Sequence, residues 1–184
     1  MRKLCFVLPG ISLFTLAFLL ASGAAAVYAQ EPQKPGPEQK KMEVWAGEWS
    51  YAGDDKEPPF GKQGHFTGKM ITRMLANGFV LEHRAIEKDG DWLDLWWYDP
   101  VVKGYVFQSF EPSGVVSSGS VTVDGNTWTA TGTRLDAKGK RLHLRATLTL
   151  SPNGKTCSVK QEYSLDEGKT WSVWYELIQK KLGK

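Results

Sequence analysis

Residues 78–110, GFVLEHRAIEKDGDWLDLWWYDPVVKGYVFQSF, hold three aromatic-rich strand candidates in succession. They are joined at Asp89-Gly90-Asp91 and at Asp99-Pro100 through Gly104. Joints this short pair strands as antiparallel neighbours, because a parallel crossover needs about a dozen residues or more. The rhythm continues to the C-terminus, with turn signals at Asp124-Gly125-Asn126, Asp136 to Gly139 and Pro152-Asn153-Gly154. No long helical period interrupts it. The pattern predicts an all-β barrel or sandwich, and of these a single antiparallel up-and-down barrel of about 8–10 strands.

The N-terminus carries a different signal. Arg2 and Lys3 precede an apolar run from Leu4 to Ala21, which leads through small residues to Val27-Tyr28-Ala29. A basic start, an apolar middle and a small-x-small end mark a secretory signal peptide. Residues 1–29 are assigned to it, with Ala26 as an alternative cleavage position. The run is nearly long enough to span a bilayer as an uncleaved anchor, but Pro9-Gly10 breaks it. The expectation is a periplasmic or extracellular product with no stable membrane insertion after cleavage. Residues 30–41, QEPQKPGPEQKK, read as a disordered spacer, and 42–182 as the folded domain.

Cleavage removes Arg2 and Lys3 and no acidic residue, so the formal charge falls from +3 to +1. That gives no case for a nucleic-acid partner, which calls for a clustered basic face. It also removes Cys5 and leaves Cys157 alone, so no intramolecular disulfide is available.

Strand parity sorts side chains between two faces. Leu142, Leu144, Ala146, Leu148 and Leu150 alternate with Arg141, His143, Arg145, Thr147 and Thr149, which sends His143 outward. Phe66, Gly68, Met70 and Met74 share a face opposite His65, so His83 is the one histidine on an inward face. Trp92, Asp94, Trp96 and Tyr98 alternate with Leu93, Leu95 and Trp97; both sets are apolar, and parity does not choose between them. The candidate lining of an interior ligand site is Trp49, Phe66, Met70, His83, Trp96, Tyr98, Phe107, Trp128, Tyr163 and Tyr175. Each aromatic buries on the order of 150–250 Å². Eight tryptophans therefore either fill a barrel or leave some lining a cavity.

Three motifs carry a resemblance. Gly47-Glu48-Trp49 fits the G-x-W that opens lipocalin-like barrels, within W-A-G-E-W at 45–49. M-L-A-N-G-F-V-L-E-H at 74–83 and W-Y-D-P-V-V-K-G-Y at 97–105 accompany it. From about Met42 to Lys180 the chain resembles a bacterial family of uncharacterised domains with a predicted lipocalin-like (calycin) barrel. Trp97 stands where that family has glycine. The resemblance implies a calycin barrel and assigns no activity. Ser164 to Trp171 also fits the S-x-D-x-G-x-T-W pattern of an Asp-box, read here as a hairpin device in which Asp166 accepts turn N–H groups.

No G-x-S-x-G, P-loop, H-E-x-x-H or C-x-x-C occurs. With one inward histidine and one cysteine, no metal site and no cofactor are expected. Haem with His83 as its ligand, as in nitrobindin-type barrels, finds no match in the late strands, because no histidine follows residue 143. The leading expectation is a non-enzymatic barrel, monomer or homodimer, that binds a small apolar or aromatic molecule inside. One alternative is an isomerase or hydrolase using His83 with Asp94 or Tyr98. Another is an envelope interaction module that covers whichever face of 92–98 lies outside.

Overall fold

The computed structural model describes residues 33–183 except 60, 88, 89 and 136–138. The expected signal peptide and the first residues of the expected spacer lie outside the described residues. Ten strands follow in order: β1 Gly47–Asp55, β2 His65–Leu75, β3 Val80–Glu87, β4 Gly90–Asp99, β5 Gly104–Phe110, β6 Val116–Asp124, β7 Thr127–Leu135, β8 Arg141–Leu150, β9 Thr156–Ser164 and β10 Ser172–Lys181. Each pairs antiparallel with its neighbours in sequence, and β1 pairs with β10. The result is the closed up-and-down barrel that the pattern predicted. Closure matters energetically, because it leaves no strand edge with unpaired N–H and C=O groups. Among the described residues no helix is long and apolar enough to cross a membrane.

The spacer ends earlier than its composition predicted. Pro37–Lys41 forms a short helix, α1, and Met42–Trp45 a 3-10 turn. Proline at the first helical turn is compatible with the helix because its missing N–H would be unpaired there anyway. The segment is held by its contacts: the Tyr105 hydroxyl donates to Glu38 Oε2 at 2.6 Å and reaches the Glu38 carbonyl at 3.0 Å. Val44 belongs to the 3-10 turn, and β1 begins at Gly47.

The Asp-box is a turn device, as its pattern implied. Asp166 Oδ1 accepts from the Thr170 N–H at 2.9 Å, and Oδ2 from the Thr170 hydroxyl at 2.7 Å. Ser164 Oγ accepts from the Gly168 N–H at 2.8 Å, while Gly168 takes a φ of 86°. Trp171 lies on the outer surface, where Arg145 stacks over its ring at 4.2 Å. A register shift between Val173 and Tyr175 then resets the parity of β10.

Candidate functional site

Register decides which side chains look inward. Trp49 pairs with Met70, Met70 with Ala85, and Ala85 with Trp92, so Trp92, Asp94, Trp96 and Tyr98 form the inner face of β4. Leu93, Leu95 and Trp97 point outward, partly covered by neighbours on β3 and β5. All ten predicted lining residues project inward, but they divide between two halves of the barrel.

One half is filled. Trp45 enters from the 3-10 turn, is fully buried, and meets Trp49, Trp96 and Trp128 with ring centroids 5.7–6.3 Å apart. Met42, Leu81, Leu148, Leu150 and Cys157 close the same core, and burial pushes the Cys157 thiol up to about 12. Tyr98 meets Tyr105 edge-to-face, centroids 5.3 Å apart. Of the predicted lining, Trp49, Trp96, Tyr98 and Trp128 thus pack against the N-terminal plug. Sequence reasoning did not place Trp45 here, because its segment folds as a 3-10 turn, to which strand parity does not apply.

His83 belongs to the boundary of this filled half. It is 6% exposed, its Nδ1 lies 3.1 Å from Thr72 Oγ1, and Nε2 has no hydrogen-bond partner. Burial between Trp45 and Trp96 lowers its pKa to about 3, so the ring is neutral at physiological pH. His83 and Asp94 are register partners on the same inner face. No hydrogen bond joins them among the described residues: Asp94 bonds Ser109, and His83 bonds Thr72. Glu82, adjacent in sequence, points to the outer face and pairs with Arg73.

The other half differs in packing and polarity. Phe66, Trp92, Asp94, Ala146, Gln161, Tyr163 and Tyr175 face inward yet keep partial solvent exposure. Together they line the less tightly packed half of the barrel, the chamber, away from the plug. Two glycine devices shape its wall. The Tyr51 ring lies over Gly68, where a Cβ would stand 2.2 Å from the Tyr51 oxygen, and this lets the hydroxyl donate to Glu87 at 2.6 Å. Phe107 lies over the facing Gly119 and Gly132, where either added Cβ would stand 2.8 Å from the ring. Met70 and Phe107 separate the two halves.

The chamber is lined with acids. Asp55, Glu87, Asp94 and Glu111 all act electrostatically on the Tyr175 hydroxyl, whose pKa rises through burial first and these carboxylates second. Arg134 pairs with Glu111, both nearly buried, and its guanidinium lies 5.8 Å from the Trp174 ring. Burial raises the Asp94 pKa to about 6; Glu111 adds to the rise and the Ser109 hydrogen bond opposes it. Burial also raises Asp55 and Glu111, the latter against the pull of Arg134. Among the described residues no group of three or more His, Cys, Asp or Glu converges closely enough to hold a metal ion. The sequence signal for this lining was the carboxylates at strand ends, Asp55, Glu87 and Glu111; Asp94 lies on a strand whose two faces parity does not tell apart.

The two best-defined surface depressions lie elsewhere. One runs along the outer faces of β1, β10, β9 and β8, and the other lies beside Trp171 and Lys56. Neither is lined by the interior polar groups.

No protein-family model matches the chain, so the resemblance to a calycin-like family gains no support beyond the barrel itself. No curated protein matches either. Among solved structures the chain is similar to Rv2717c from M. tuberculosis, at 13% identity and a TM-score of 0.58, over 80% of this chain and 99% of that one. This likeness concerns the fold. A redesigned β-barrel, b11L5F_LGL, matches at 12% identity and a TM-score of 0.38, over 77% of this chain and 95% of that one. EF1p2_mFAP2b, solved bound to DFHBI, matches at 10% and 0.39, over 78% and 98%.

Proposed function

We propose that this barrel binds a small organic molecule with a planar or aromatic part in its less tightly packed half. The observation that carries the reading is the contrast between the halves. Trp45, Met42 and the surrounding rings pack one end solid, whereas inward residues from β8–β10 and β1–β4 keep accessible surface at the other. Barrels of this size enclose either side chains or one small ligand, and here the two outcomes occupy opposite ends. Phe66, Tyr163 and Tyr175 offer ring faces, and Gln161, Asp94 and Tyr175 offer polar contacts that orient a guest. Export belongs to the proposal as well, supported by the residues from Arg2 to Ala29.

The test is a titration of the full chain with indole, a neutral planar probe, followed by NMR. Shifts confined to the Phe66, Tyr163 and Tyr175 rings, and lost in Ala146→Trp, are the expected result. Shifts restricted to outer-face residues, or none at millimolar indole, sink the reading.

A further inference from the structure

Three candidates stand out beyond the chamber's existence: the outward Leu93, Leu95 and Trp97 strip, the orphaned polar atoms on His83 and Trp45, and the charge of the chamber. Nothing in the structure shows what would cover the strip. The other two converge on one place, because His83 and Asp94 are register partners on the inner face.

Unlike Glu82, Glu111 and Glu162, Asp94 and the half-buried Asp55 have no ion pair among the described residues. Glu111 has Arg134, Glu162 has Arg145 and Lys160, Glu82 has Arg73, and Glu87 receives the Tyr51 hydroxyl. Asp94 makes no ion pair among the described residues and has one hydrogen bond, from Ser109. A carboxylate taken out of water without a counter-charge is costly unless something neutralises it. Beside it the His83 side chain, more than nine-tenths buried, faces the interior with Nε2 unpartnered. An Nδ1–H donated to Thr72 Oγ1 leaves that nitrogen as an acceptor. Asp94 and the unpartnered Nε2 thus belong to register partners on one inner face, and no group of this chain among the described residues serves Nε2.

Aromatic walls surround the approach. Phe66 meets Tyr51 and Tyr175 with centroids 6.3 and 5.7 Å away, and Trp174 lies 5.9 Å from Tyr175. Ring faces attract cations through their quadrupole, and more strongly where water is thin. The acids do not close around a metal ion. A larger cation that spreads its charge beside a ring suits the spacing.

Resting on the reading of the chamber as a small-molecule site, we propose that its ligand is a protonated organic amine, the ammonium seated at Asp94 toward His83 and the carbon body against Phe66 and Tyr175. The ammonium supplies the counter-charge that Asp94 lacks, and it offsets a chamber in which Arg134 faces several carboxylates. A neutral guest of the same shape fills the walls and leaves Asp94 without that counter-charge. An anion meets repulsion.

The experiment compares benzylamine with benzyl alcohol, which match in shape and differ in charge at pH 7.5. Calorimetric titration of the full chain is expected to show the amine bound about ten-fold tighter or more. Asp94→Asn should bring the ratio to near one, whereas Glu176→Gln on the outer face should leave it unchanged. Lowering the pH to 5 should reduce the ratio several-fold, since Asp94 then holds a proton. The groups facing Asp94 in that window are His83 on β3, Glu111 just after β5, Arg134 on β7 and Tyr175 on β10. Of these, His83 is already neutral; burial raises Glu111 too, so the pH effect assigned to Asp94 is the part that Asp94→Asn removes. If the alcohol binds as tightly as the amine, the charge inference is overturned and the chamber reading stands. If neither binds, both are overturned. An amine preference that survives Asp94→Asn at pH 7.5 places the cation elsewhere and also overturns the inference.

Discussion

At the scale of single residues, Asp94 and His83 show burial acting in opposite directions on charge. Burial raises the Asp94 pKa to about 6 and lowers that of His83 to about 3, so in each case the neutral form is favoured. For Asp94 the folded value lies above the unfolded one, so the native state resists ionisation. The resulting penalty is absent below about pH 4 and fully present above about pH 6. Asp94→Asn should therefore stabilise the unliganded protein at pH 7.5 by on the order of 1–3 kcal/mol. Urea denaturation at pH 7.5 and pH 4 measures it, and the gain should vanish at the lower pH. A destabilised variant at pH 7.5 would show that the carboxylate is held by a favourable partner. Such a residue carries a stability cost in the free protein and finds its compensation in what binds, which is a common pattern at functional sites. Its inward direction was half legible in the sequence: parity gave two sets for 92–98, and the second set was equally apolar.

At the scale of elements, the N-terminal plug matters as much as any strand. Trp45 is fully buried against three other tryptophans, although its own segment is a 3-10 turn of four residues. Trp45→Ala removes the ring that fills the barrel end and should cost about 3–5 kcal/mol, because the surrounding indoles are anchored on strands and cannot collapse inward. Thermal denaturation of the variant checks this, with retained barrel circular dichroism below the transition. A loss under about 1 kcal/mol would show that the end repacks freely. The spacer composition hid this role. Gln, Glu, Lys and Pro in 30–41 signal disorder when read alone, yet Glu38 is tied to Tyr105 at the far end of a barrel strand. A contact 67 residues away in sequence leaves no local trace.

At the scale of the whole molecule, the barrel is a ring whose last joint is the pairing of β1 with β10. A chain truncated after Leu165 loses that joint and the strand that carries Tyr175, exposing two long edges. The expected outcome is insoluble or unfolded protein by gel filtration and circular dichroism; a monomer that keeps the β spectrum would show that the open sheet is stable by itself. The sequence by itself determined the class and bounded the strands to about 8–10, because alternation, short joints and turn residues are local properties that antiparallel pairing uses directly. It also determined the Asp-box hairpin, in which every partner lies within eight residues. Only the tertiary structure decided how the interior is shared. Whether an inward aromatic packs or lines a space depends on what enters from the barrel ends and on how strands stagger around the ring. Trp45 arrives from a 3-10 turn, and the shift in β10 turns Tyr175 inward beside Asp94. Parity assigns a face, but filling a volume depends on side chains from ten strands at once.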